Sequence, residues 1–210
     1  MTALLTLVQW LSPAFPTGAF AYSHGLERVI AAGDVTDAQT FEQWLRNILH
    51  YGAGWQDAVL LTQALAEGAD HAALDALARA LAPSAERLQE SAEQGAALAR
   101  MVSSLTGRTL PPRMLPIAVG EAAAPLDLPP GQVAQLYLQN FAGNLCTIAT
   151  RHVPLGQTAG QGVLMRLLPE IEALGTKSAS ASLDDLGSCA LAADLAAFQH
   201  ETQDVRIFRT

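Results

Sequence analysis

The chain has 210 residues, half of them hydrophobic, and a formal net charge of −8, enough apolar material for one well-filled core. The acidic balance excludes nucleic acid and anionic membrane surfaces as partners, because both are bound through clustered cationic charge. Lys177 is the sole lysine among twelve basic residues, so the cationic groups are almost all planar, bidentate guanidiniums suited to carboxylate contacts.

The first residues, Met1 to Thr6, lack a basic region, and the apolar run stops at Ser12-Pro13. That fits neither a signal peptide nor a membrane span. Cys146 and Cys189 are the only cysteines, and two so far apart make neither a disulfide framework nor a metal or redox pair. A cytoplasmic location is expected.

Apolar residues then recur with helical period in almost every segment. Ser23 reads as the N-cap of a helix presenting Leu26, Val29 and Ile30, with Gly33 as its stop. Thr36 and Gln39 form a capping box for a helix carrying Phe41, Trp44, Leu45, Ile48 and Leu49. Leu60, Leu61, Ala64 and Leu65 make a stripe ended by Gly68, and Asp70 caps a helix with Leu74, Leu77, Ala78 and Leu81 that Pro83 stops.

Ser84 opens a long helix whose Leu88, Ala92, Gly95, Leu98, Ala99, Val102 and Leu105 share a side, ending at Gly107. After a proline-rich connection and a short helix, Pro129-Pro130 starts a second long helix with Val133, Tyr137, Phe141, Leu145, Ile148 and His152. Another carries Leu164, Leu167, Leu168, Ile171 and Leu174; Thr176 to Ser182 reads as a loop, and the last helix holds Leu191, Leu195 and Phe198. No period-two alternation or Asn-Gly hairpin interrupts this pattern. The expected fold is all-α: one helical domain of nine or ten helices over residues 1–203, with a C-terminal tail over 204–210.

The common catalytic signatures are missing or misplaced. Gly175-Thr176-Lys177-Ser178 has the letters of a phosphate-binding loop in the wrong order. His24, His50, His71, His152 and His200 are scattered without metal-ligand spacing. Ala21-Tyr22-Ser23-His24-Gly25 approaches a nucleophile elbow, but no strand context surrounds it. A hydrolase using Ser23 and a generic helical scaffold stand as alternative classes.

The ending is unlike solvent filler. Val205, Ile207 and Phe208 sit with Arg206 and Arg209 in the last six residues. Arginine and aromatic side chains dominate protein–protein hot spots, so the segment reads as a docking tail. The other reading is a helix end that packs its Phe onto its own domain.

Three segments together carry a resemblance: Ser12 to Glu27, Val153-Pro154-Leu155-Gly156-Gln157 through Gly160-Gln161, and His200-Glu201-Thr202-Gln203 with Arg206 to Thr210. In order and spacing they resemble the urease accessory protein F family over essentially the whole chain. Departures are small: Thr17, Ala21, Ile207 and Thr210 replace the family's usual residues. The resemblance implies an all-helical, non-enzymatic factor for maturation of nickel-dependent urease. It implies a homodimer that binds accessory protein D/H, recruits the accessory GTPase G and docks on apo-urease, with nickel and GTP handled by the partners and no cofactor held tightly by this chain.

The resemblance also places Gln157, Gln161, His200, Glu201, Arg206, Phe208 and Arg209 at or near the D/H interface, and Tyr22, Ser23, His24 and Glu27 on the GTPase-facing surface. Alternatives read from the residues remain beside these roles. Glu27 suits the first turn of a helix, where the macrodipole favours an acid, and Tyr22 suits a buried hydrogen bond. Gly18, Gly25 and Gly156 are expected to serve backbone geometry.

Overall fold

A computed structural model describes residues 1–153 and 155–210. Pro154, the second residue of the Val153–Gln157 motif, lies outside the described residues. Ten α-helices are present among the described residues: α1 (Thr2–Trp10), α2 (Leu26–Ala32), α3 (Ala38–Tyr51), α4 (Ala53–Ala64), α5 (His71–Ala80), α6 (Ala85–Thr106), α7 (Leu115–Ala123), α8 (Pro130–His152), α9 (Gln157–Ser178) and α10 (Leu191–His200). No strand occurs among these residues.

Polar residues set many of the helix starts. The Asp70 carboxylate accepts from the amides of Ala72 and Ala73 to open α5, and the Ser84 hydroxyl accepts from Arg87 to open α6. Gly107, at φ +72°, ends α6 in the left-handed conformation that an L side chain resists. Prolines at the first turns of α7 and α8 sit where no intrahelical N–H is needed.

The core is built around the long antiparallel pair α8 and α9, which packs against α3 and α4. Leu138, Leu145 and Ile148 of α8 are buried with Leu167 and Ile171 of α9, and Phe41, Leu45 and Ile48 of α3 close the same cluster. A smaller cluster joins Leu60 and Ala64 of α4 to Leu74 and Ala78 of α5 and Ile117 of α7. Close approach of α8 and α9 depends on Gly175, where a Cβ would lie 2.8 Å from Gln135 N and 2.9 Å from Gly131 O.

Three local expectations are corrected. The capping box of α3 is Asp37 with Thr40, not Thr36 with Gln39; the Asp37 carboxylate accepts from the Thr40 amide at 2.9 Å and the Thr40 hydroxyl accepts from the Asp37 amide at 3.1 Å. Thr176–Ser178 continue α9 instead of opening a loop, and their polar side chains are accommodated there by hydroxyl bonds from Ser178 and Thr176 to the carbonyls of Gly175 and Glu172. The third concerns the apolar period read on α10: Leu191, Leu195 and Phe198 are 67, 48 and 61% exposed, and Ala193, Ala196, Ala197 and His200 face inward instead.

Gly175→Ala should lower stability by about 1–3 kcal/mol, the usual cost of forcing an atom into a well-packed interior. Urea denaturation of the purified variant checks it; a midpoint equal to wild type would show that α8 and α9 can separate freely.

Candidate functional site

The segment Gly18 to Glu27 turns sharply because three of its residues occupy left-handed backbone. Gly18 is at φ +80°, His24 at φ +58° and Gly25 at φ +76°. The first leads into a 3-10 turn at Ala19–Ala21 and the other two lead into α2. At Gly25 a Cβ would also lie 2.9 Å from Ala197 N, so glycine there both permits the turn and lets α10 pass close by.

The C-terminal residues run back across this turn. The Glu27 carboxylate accepts from the backbone amides of Ile207 at 2.8 Å and Phe208 at 2.9 Å, and meets His200 Nε2 at 3.2 Å. The Arg209 amide donates to the Ala21 carbonyl at 2.8 Å. The Thr210 carbonyl oxygen accepts from the Ser23 amide at 3.0 Å and from the Ser23 hydroxyl, and the His24 amide donates to Thr210 Oγ1 at 3.1 Å. Phe208 is 9% exposed and meets His152 edge-on, with ring centroids 4.8 Å apart.

Helix α6 supplies the opposing charge. Glu86 pairs with His200 Nδ1 at 2.7 Å and with Arg206 at 2.8 Å; Glu90 accepts from the Thr210 hydroxyl at 2.9 Å; Glu93 pairs with Arg209 at 2.7 Å and accepts from the Tyr22 hydroxyl. Glu201 Oε1 accepts from the Ala85 amide at 2.8 Å and so caps the start of α6 from outside the helix. His200 is fully buried between Glu27 and Glu86, and both contacts become hydrogen bonds when both ring nitrogens carry protons. Burial alone would raise the Glu27 carboxyl's pKa, but the Phe208 and Ile207 amides and His200 hold it below its usual value. Burial and the hydrogen bond to Glu93 raise that of the Tyr22 phenol.

The structure therefore gathers Tyr22, Ser23, His24, Glu27, His200, Glu201, Arg206, Phe208 and Arg209 into one contiguous arrangement. Their placement differs from the expected one, in which two groups face two partners: Tyr22, Ser23, His24, Glu27 and Phe208 are buried, and the first four hold the chain's own tail. Glu27 is a first-turn acid, as its sequence position indicates, and its carboxylate is occupied by the tail amides. Ser23 is fully buried with its hydroxyl committed to Thr210, which removes the accessible oxygen a nucleophile elbow requires.

Gln157 and Gln161 stand apart, exposed on the first turns of α9, with no hydrogen bond to the tail among the described residues. Gly156 is at φ −67° with no atom within 4 Å of a Cβ, so neither backbone conformation nor crowding requires glycine there. Glu86, Glu90 and Glu93 were not anticipated. Their i, i+4, i+7 spacing was the available signal: an acidic stripe on one helix face, matched to an arginine-bearing tail.

The family model UreF matches residues 35–168. A urease accessory protein UreF of Cereibacter sphaeroides is 61% identical over 208 residues, covering 99% of each chain. Those of Paracoccus denitrificans and Dinoroseobacter shibae are 51% and 47% identical, covering 99% and 100% of this chain. The chain belongs to the UreF family. The family match ends within α9, whereas the similarity to these UreF proteins takes in α10 and the clamped tail as well.

Replacing Glu27 with Ala in this UreF-family chain leaves two backbone donors, one of them buried, and a buried imidazole without their acceptor. With hydrogen bonds to charged groups worth about 1.5–3 kcal/mol each, the loss should reach about 3 kcal/mol and lower the urea midpoint markedly. The carboxyl's folded value lies below its unfolded one, so this contribution is complete above pH 4.5 and disappears as pH falls through the folded value. Wild-type stability should thus drop on acidification below pH 4.5, and that part of the drop should be missing in Glu27→Ala. A variant as stable as wild type at pH 7 would show that the clamp contributes nothing.

Proposed function

We propose that this chain is a non-enzymatic urease maturation factor. It binds accessory protein D/H, recruits the accessory GTPase G as a homodimer, and helps couple GTP hydrolysis to nickel insertion into apo-urease. Family membership supports the role in urease maturation, and the resemblance described above supports the division of labour among partners. Nickel is cargo in this scheme.

One observation carries the choice of docking surface. Leu191, Leu195 and Phe198 repeat at i, i+4, i+7 along the outer face of α10, and Val205 and Ile207 are exposed in the tail that follows it. A stripe of large apolar side chains on a helix ordinarily faces a core or a partner. Here the inward face is already filled by alanines. The tail's contribution to D/H binding then comes from Val205, Ile207 and the exposed arginines, Phe208 being the anchor that fixes them to the domain.

Phe198→Glu and Leu195→Glu change exposed positions and should leave helicity and melting temperature near wild type. Each should weaken co-purification with accessory protein D/H, by about thirty-fold in affinity if the lost anchor is worth about 2 kcal/mol. Retention of D/H at wild-type yield by both variants would exclude this face.

A further inference from the structure

Inside the domain, a polar cluster around Asp57 lies behind the Tyr22–His24 turn and meets the tail clamp at Glu90. Asp57 of α4 accepts from the Tyr137 hydroxyl of α8 at 2.6 Å, and Arg87 of α6 pairs with Glu90 one turn along. Asp57 and Arg87 line two cavities. One, of about 60 Å³, is also lined by His24, Ser91, Ser188 and Asp194; the other, of about 40 Å³, by Tyr22, Glu90 and Asn140. His24 is buried, and its Nδ1 has no hydrogen-bond partner among the described residues. A water needs roughly 10–15 Å³ and two to four polar partners, and both cavities meet those conditions.

Tyr22 and His24, which wall the two cavities, belong to the segment that Arg209 and Thr210 hold by backbone and hydroxyl hydrogen bonds. The Thr210 hydroxyl also reaches Glu90, the partner of Arg87. We propose that ordered water occupies both cavities and that this hydrated cluster couples the charge on Asp57 to the seating of the C-terminal residues, ionisation of Asp57 favouring their release from the Tyr22–His24 turn.

The sign follows from solvation. With the tail seated, burial raises the Asp57 carboxyl to about 6 and outweighs the Tyr137 hydroxyl and Arg87, which favour the ionised form, while Glu90 opposes ionisation. The same burial, helped by Arg87, holds His24 well below its ordinary value and so favours its neutral form. Asp194, across the larger cavity, is itself raised by burial. Release of the tail frees the turn, admits solvent and lowers the cost of the Asp57 charge. By reciprocity, the seated state holds the Asp57 proton more tightly, and seating weakens as pH rises through about 6. Each pK unit of coupling is tenfold in the seating equilibrium.

Amide hydrogen exchange of the full chain, followed by NMR and corrected for intrinsic rates, reads the tail directly. Protection of Ile207, Phe208 and Arg209 should fall about tenfold from pH 5 to pH 8 in wild type and stay within about twofold in Asp57→Asn, which keeps an acceptor for Tyr137. A fall of the same size in Asp57→Asn would overturn the proposal, as would constant protection in wild type. Independently, the Asp57 carboxyl ¹³C titration should move down by about one pK unit in Thr210→Val; an unchanged midpoint overturns the coupling. A high-resolution crystal structure with no water within hydrogen-bond reach of His24 Nδ1 overturns the hydration.

Discussion

The site depends on a single carboxylate accepting from two successive backbone amides. Ordering a chain end costs about 1–2 kcal/mol of backbone entropy for each residue fixed, so a tail stays seated only where its main-chain groups find better partners than water. Glu27 supplies such a partner for Ile207 and Phe208 at once, and it does so from a buried position where charge-assisted hydrogen bonds are strong. The Tyr22–His24 turn extends the match with the Ala21 carbonyl, the Ser23 hydroxyl and amide, and the His24 amide. Because most of these contacts are to backbone, they fix the path of the tail while leaving its side chains to alternate. Phe208 and Thr210 point inward, and Ile207 and Arg209 point out.

Charge on α6 then sets where along the domain that path lies. Glu86, Glu90 and Glu93 present three carboxylates in one row, and His200, Arg206, Thr210 and Arg209 each find one. The exposed Arg206 and Arg209 pairs add little stability by themselves. Their value is in register, since a shift of the tail along α6 would leave the buried Glu90 without the Thr210 hydroxyl and His200 without Glu86. Glu201 ties the root of the tail to the start of that helix, so α6 is capped by the segment it orients.

Much of the fold was legible in the sequence, because helix ends are written in local chemistry. Asp70, Ser84, Gly107 and Pro130 mark boundaries through their own hydrogen bonds or backbone preferences, which need no knowledge of the rest of the chain. The face of α10 was not legible. Pattern reading assigns the largest apolar residues to the core, but Gly25 and Ala197 approach so closely that only small side chains fit between α2 and α10, and Leu191, Leu195 and Phe198 are turned outward. Two parts of the site were legible, since the segments containing Tyr22–Glu27 and His200–Arg209 stand out together, whereas the α6 carboxylates Glu86, Glu90 and Glu93 did not. Their relation was hidden: a contact spanning 181 positions between Glu27 and Phe208 has no local signature.

The inward alanines and the clamped tail make the outer apolar stripe a preformed surface. Had the tail been free, a partner using it would bear the cost of ordering it at the moment of binding, which can consume several kcal/mol of interaction energy. In this chain Glu27, Ser23 and the α6 carboxylates meet that cost during folding, leaving Val205 and Ile207 fixed beyond the C-terminal end of α10, the helix that carries the Leu191–Phe198 stripe. The buried residues of the Tyr22–Glu27 segment thus set the position of Val205 and Ile207 through the tail they hold.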